Sequence, residues 1–198
     1  LLTSSGAVYG SHPNEPTGLS EDSFIDRSVP LPSAYAEGKR ISEQLVLKAQ
    51  SESKLKVKIA RIYAQVGPYL PLDKHFAIGN FIYDACFNRE IKILGDGSPI
   101  RSYMYAADLS IWLLSMIINK MSKSIYNIGG KEVLSIEDLA KRVANIIGSK
   151  NRIKKMKSRD YDIKVEAYVP DTNLIRSELK LTKELSLDDS ILRTAAWV

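Results

Sequence analysis

Tyr35 and Lys39 stand four residues apart in the run Tyr35-Ala36-Glu37-Gly38-Lys39, and Ser5 lies thirty residues upstream of that tyrosine. On a helix, residues four apart share a face, with Cβ atoms roughly 5–6 Å apart. A phenol is a poor base near neutrality because its reference pKa is about 10. A neighbouring ammonium favours the phenolate. A serine hydroxyl brought beside them would complete a relay that moves a proton on or off a sugar hydroxyl or carbonyl. That is chemistry for a redox step at a carbinol carbon, and it makes the chain an enzyme candidate. Two fixed positions in five also arise by chance in many helices, so the segments around them carry the weight. Ser4 is the one-position alternative to Ser5, and the plain reading of either is a strand-end hydroxyl bonded to backbone.

The bulk composition sets limits. With 198 residues, 44% hydrophobic and 26% charged, the chain has the composition of a globular protein with one good core, or one and a half small ones. The net charge is +5, but the basic residues form no single stripe, so no nucleic-acid partner is expected. The densest run, Lys150 to Lys157, is expected as a solvated connector. A positive field also suits a diphosphate substrate. Cys86 is the only cysteine, which excludes an intrachain disulfide and a cysteine-rich zinc site and fits a reducing cytoplasm. It reads as a small buried hydrophobe on a helix, and no metal is expected. No apolar run approaches the roughly 18 residues of a membrane span. The chain opens on Leu1, within a strand-like run and without methionine, and is expected to be a fragment.

Several elements must position these groups. Residues 1–9 read as the end of a buried strand, and Ser11 to Pro32 as a long loop. A helix is expected from Pro32-Ser33 to about Ser53, with Ile41, Leu45 and Ala49 facing inward and Tyr35 and Lys39 on a neighbouring face. Strands are expected over 56–62, 91–94, 102–105 and 125–128. Helices are expected over 75–88, from a cap at Asp108 to about Asn119 with Trp112, Leu113 and Met116 in the core, and from Ser135 to a stop at Gly148. Two short helices, over 172–179 and 188–197, complete the chain. Alternating strands and helices make this an α/β chain with a parallel sheet and crossover helices.

In this order the segments resemble an extended short-chain dehydrogenase/reductase, in the NAD-dependent epimerase/dehydratase family acting on nucleotide sugars. The resemblance runs from Ser4 to about Trp197. It rests on Thr3-Ser4-Ser5-Gly6-Ala7-Val8-Tyr9-Gly10, Tyr35 with Lys39, Arg61-Ile62-Tyr63 ahead of Val66-Gly67-Pro68, and Gly79-Asn80-Phe81-Ile82. Further matches are Gly95-Asp96-Gly97 with Arg101-Ser102-Tyr103, Asp108, and Tyr126-Asn127-Ile128-Gly129-Gly130. It implies an NAD(P)-binding Rossmann-like doubly wound sheet with a small mixed α/β substrate-binding domain. Residues 1–72 would be the later part of the dinucleotide-binding domain, with strands returning to it around 100–130. Residues 73–100 and 131–198 would mainly bind substrate. The Gly-x-x-Gly-x-x-Gly turn that cradles the cofactor pyrophosphate does not occur in this sequence, so the match is to the C-terminal part of such a protein.

The resemblance also implies roles. Tyr35 would be the general acid/base, Lys39 its activator and a partner of the nicotinamide ribose, and Ser5 the hydroxyl that orients the reacting oxygen. Tyr63 would stand at the nicotinamide side, with NAD as cofactor and NADP as the alternative. Asn80, Arg101 and, more loosely, Arg159 would hold the nucleotide diphosphate. Ala64 replaces an asparagine that many members use on substrate, and Gln65 is its candidate substitute. Gly6 and Ala7 stand where 4,6-dehydratases carry Asp and Glu, which disfavours elimination of water. The implied function is an NAD-dependent nucleotide-sugar epimerase acting through a 4-keto sugar, in surface polysaccharide synthesis, and homodimeric when full length. A 4,6-dehydratase or 4-keto-sugar reductase is the second enzyme reading, and a non-catalytic nucleotide-sugar-binding member is the reading from another class.

Overall fold

A computed structural model describes residues 1–10, 18–23, 25, 33–74, 76–148, 152–158, 165–181 and 184–198. The elements run β1 (Leu2–Ser5), a 3-10 turn (Gly6–Tyr9), α1 (Ala34–Glu52), β2 (Ile59–Ile62), β3 (Gln65–Val66) and α2 (Ala77–Cys86). Then come β4 (Ile91–Ile93), β5 (Ile100–Ser102), β6 (Met104–Tyr105), α3 (Ala106–Ile118), β7 (Ile125–Ile128) and β8 (Val133–Ser135). The chain continues with α4 (Ile136–Ile147), β9 (Ile153–Lys155), β10 (Ala167–Tyr168), α5 (Asn173–Leu179) and α6 (Leu187–Ala195). Among these residues no helix is long and apolar enough to cross a membrane.

β1, β2 and β7 form a parallel sheet in that order, with Ser5, Ile62 and Ile128 aligned at one edge. Parallel neighbours need crossovers; α1 supplies the first and α3 lies within the second. One core gathers Ala60, Tyr126 and Ile128 of the sheet with Trp112 and Met116 of α3 and Ile175 of α5; Leu113 packs at its margin. A second core joins α2, α4 and α6 to β4 through Ile78, Phe81, Ile82, Ile91, Leu139, Val143 and Ile191. Cys86 packs against the second core only in part, and burial raises its thiol pKa. Ser135 caps α4 by accepting the Asp138 N–H at 3.0 Å, and Gly148 ends that helix in the left-handed region at φ 75, where a Cβ would be strained.

Four expectations need correction. The inward face of α1 is not apolar: Ile41 and Leu45 are 54% and 64% exposed, whereas Ala36, Arg40 and Glu43 are buried. The reason lies opposite. The turn after β1 offers Val8 O to Arg40 Nε at 2.7 Å, and β2 offers Arg61 to Glu43. Asp108 is not the cap of α3, which starts after Tyr105; its carboxylate instead accepts the Leu185 N–H at 2.8 Å. The basic run is not all connector. Ile153–Lys155 form β9, parallel to β4, while Lys150 and Asn151 lie outside the described residues. The strand expected over 102–105 is two: β5 pairs with β8 and β10, and β6 pairs with β3.

Candidate active site

Successive residues of a strand point to opposite faces, and this separates the two serines. Ser4 donates to the buried Glu43 carboxylate. Ser5 caps the following 3-10 turn, its Oγ accepting the Ala7 N–H at 3.2 Å, and sits 3.2 Å from the Tyr168 hydroxyl. Helix α1, capped by Ser33 accepting from Ala36 N–H, sets Tyr35 and Lys39 along one face. Lys39 Nζ donates to Thr3 O at 2.8 Å and lies 5.7 Å from the Tyr35 ring centroid. Tyr35 itself is 58% exposed.

These groups border one cleft of about 730 Å³, lined also by Tyr63, Ala64, Gln65, Tyr103, Arg101 and Tyr168. The structure therefore brings together Ser5, Tyr35, Lys39, Tyr63 and Arg101. Tyr63 is buried, its hydroxyl has no hydrogen-bond partner among the described residues, and its ring lies 4.5 Å from that of Tyr168. Burial drives its phenol pKa far up. Arg101 pairs with Glu166 at 3.0 Å and lies 5.7 Å from the Tyr168 ring centroid. An anionic ligand at Arg101 must compete with that carboxylate.

Asn80 does not line this cleft. It borders an adjoining one of about 340 Å³ with Lys74, Lys92, Leu94, Gly95 and Pro99, and Ala77 and Ile136 wall both. Its Nδ2 donates to Lys74 O at 3.0 Å, while its buried Oδ1 has no partner among the described residues. Asn80 is thus no cap of α2, which begins after Phe76. Arg159 lies outside the described residues.

Sequence reasoning missed Tyr168. It touches Ser5, packs its ring at a tilt against Tyr63, lies beside Arg101 and lines the cleft. Burial raises its pKa, and a charge on Tyr35 would push the same way. Its only sequence signal is an aromatic residue in a short strand, 163 positions from Ser5.

The chain has relatives among known proteins. Residues 1–129 match the NAD dependent epimerase/dehydratase family, and the chain belongs to it. Over 197 residues it is 28% identical to UDP-glucuronic acid decarboxylase 1 of Arabidopsis thaliana, covering 98% of this chain and 43% of that protein. A solved UDP-glucose 4-epimerase of Thermotoga maritima, with UDP-glucose, superposes with a TM-score of 0.83 at 22% identity, covering 98% of this chain and 61% of that one. A UDP-glucuronic acid 4-epimerase of Bacillus cereus, in complex with UDP-glucuronic acid and NAD, gives 0.79 at 24%, covering 98% and 59%. The likeness establishes the Rossmann-type fold expected from the sequence. The chain spans less than half the length of the curated relatives it matches.

Proposed function

We propose that the protein is an NAD-dependent nucleotide-sugar epimerase working through a transient 4-keto sugar, in the cytoplasm and toward surface polysaccharide. The observation that carries this reading is the convergence of Ser5, Tyr35 and Lys39 on one cleft that also reaches Arg101. Tyr35 takes the proton of a sugar hydroxyl, and Ser5 hydrogen-bonds the same oxygen as it becomes a carbonyl. Lys39 presents three donors, one of which goes to Thr3 O, so the ammonium can serve both the phenol and a ribose hydroxyl. Ile62, Tyr63 and Ala64 line the cleft and suit the nicotinamide ring. When bound, NAD supplies a hydride acceptor and returns the hydride to the sugar.

Arg101 suits the diphosphate through its planar fork of donors, once Glu166 is displaced. The adjoining cleft bordered by Asn80 suits the nucleoside. Arg159 keeps the phosphate role implied by the resemblance. Residues 1–72, with strands near 100–130, thus serve the cofactor side, and 73–100 with 131–198 the substrate side. The exposed Ile41 and Leu45 stripe on α1 is the homodimer face.

A second reading is favoured by the UDP-glucuronic acid decarboxylases among the relatives. A 4-keto uronic acid is a β-keto acid; its C5–carboxyl bond breaks with the electron pair drawn into the ketone, releasing CO2. Both readings share the first oxidation. Incubating the intact protein with NAD and either UDP-glucose or UDP-glucuronic acid, followed by proton NMR of the products, separates them. C4 inversion supports epimerisation, loss of C6 supports decarboxylation, and recovery of both sugars unchanged contradicts either.

A further inference from the structure

The parallel sheet sets Ser4, Arg61 and Asn127 side by side in register, one residue before the edge where Ser5 meets the cleft. All three are buried. Arg61 sends Nε and Nη2 to the two Glu43 oxygens at 3.0 and 2.7 Å, and Nη1 to the Tyr9 hydroxyl at 2.8 Å. Tyr9 donates onward to Asn127 Oδ1 at 2.9 Å, and Ser4 donates to Glu43. The layer therefore joins three strands, the turn after β1 and helix α1.

Glu43 follows Lys39 by four residues, as Lys39 follows Tyr35, so the three share one helix face. A carboxylate one turn from an ammonium is its ready ion-pair partner. Here that pairing is not made. Arg61 and Ser4 hold the carboxylate, while Lys39 reaches Thr3 O at 2.8 Å and stays 5.7 Å from the Tyr35 ring centroid. The two ties from α1 land on Thr3 and Ser4, consecutive residues that lead directly into Ser5.

We propose that Glu43 and Arg61 are positioning residues for the Tyr35–Lys39 pair. Arg61 draws the Glu43 carboxylate away from the Lys39 ammonium and clamps α1 onto β1, leaving the ammonium to serve the phenol. This deepens the function proposed above, since it rests on Lys39 acting there. A purely structural buried pair also makes the loss of one partner worse than the loss of both, because a lone partner is left as an unpaired buried charge. What only the positioning role predicts is a change at Lys39 itself, because a lone Glu43 turns to Lys39 and a glutamine does not.

The test uses the intact protein with its lysines reductively methylated with 13C-formaldehyde and followed by NMR, without cofactor or substrate; Lys39→Arg assigns the signal. Arg61→Met is expected to displace the Lys39 resonance, and Glu43→Gln with Arg61→Met to return it to the wild-type position. With UDP-glucose or UDP-glucuronic acid, Arg61→Met is expected to lower kcat about 10- to 100-fold at a KM within about threefold. The double variant is expected to recover most of that loss. An unmoved Lys39 resonance in Arg61→Met, or a double variant as impaired as the single, overturns the proposal. If Arg61→Met fails to melt cooperatively, Arg61→Gln, which also removes the cation, replaces it and must displace the Lys39 resonance; no displacement overturns the proposal. Absence of turnover by the wild type counts against the proposed function alone, because the resonance still decides this one.

Discussion

Gly6 lies flat against the ring of Tyr63, so closely that a Cβ on Gly6 would come within 2.5 Å of Tyr63 Cζ. The space that a side chain at position 6 would need is filled here by an aromatic ring. Gly6 is thus a packing residue, and the acid that the resemblance assigns to dehydratases at this position would have no room beside Tyr63.

Gly6→Ala tests this directly. Overpacking a buried site typically costs about 1–3 kcal/mol, so the melting temperature is expected to fall by several degrees in a thermal denaturation. Gly6→Asp should fall further, because it buries a carboxylate as well, and should not bring water elimination. An unchanged melting temperature in Gly6→Ala would mean that the Tyr63 ring yields freely.

Tyr168 reaches Ser5 through its hydroxyl and Tyr63 through its ring, and these contributions are separable. Tyr168→Phe keeps the ring contact and removes the hydroxyl's hydrogen bonds to Ser5 at 3.2 Å and to Ile62 O at 3.5 Å, each worth roughly 0.5–1.5 kcal/mol. Turnover is expected to drop up to about tenfold, with KM and melting temperature little changed. Tyr168→Ala should lower the melting temperature too. A Phe variant with full activity would show that Ser5 needs no help from Tyr168.

Much of this was legible beforehand, for physical reasons. The helix start at Ser135 and its stop at Gly148 are local: a hydroxyl meets a free N–H, and a residue without Cβ adopts φ 75. The β1–α1–β2 unit follows from an apolar strand, a capped helix and a β-branched run in sequence. The misread face of α1 was not local. Apolar spacing selects Ile41 and Leu45, but Arg40 and Glu43 are buried because Val8 O and Arg61 satisfy them across the sheet. Tyr168 escaped for the same reason, its role being defined by residues more than 100 positions away. Likewise, β9 exists because Ile153–Lys155 meet β4, and nothing in a lysine-rich stretch announces a partner.

The exposed pair Ile41 and Leu45 on α1 gives a prediction about assembly. Ile41→Lys with Leu45→Lys is expected to convert a dimer of the intact protein to a monomer in sedimentation velocity. These substitutions alter exposed side chains, so the fold should persist. A wild-type protein that sediments as a monomer would contradict the proposed face.

Glu137 offers a pH test. Lys155 and then Lys141, both at 3.0 Å, hold its carboxyl below the ordinary value. A folded pKa below the unfolded one gives stability that is present above the unfolded value and lost as pH falls through the folded one. The melting-temperature difference between wild type and Glu137→Gln should therefore be largest near neutrality and shrink on acidification. A difference independent of pH would deny the ion pairs any part in holding β9 to α4.

The central claim is that the Tyr35 phenol moves the proton in the sugar redox step, and Tyr35→Phe in the intact protein measures it most directly. Tyr35 is 58% exposed, so its hydroxyl can be removed without opening a cavity. Turnover of UDP-glucose or UDP-glucuronic acid with NAD should fall by about 10²–10⁴-fold, while UDP affinity by calorimetry stays within about threefold. Wild-type turnover in Tyr35→Phe would contradict the account.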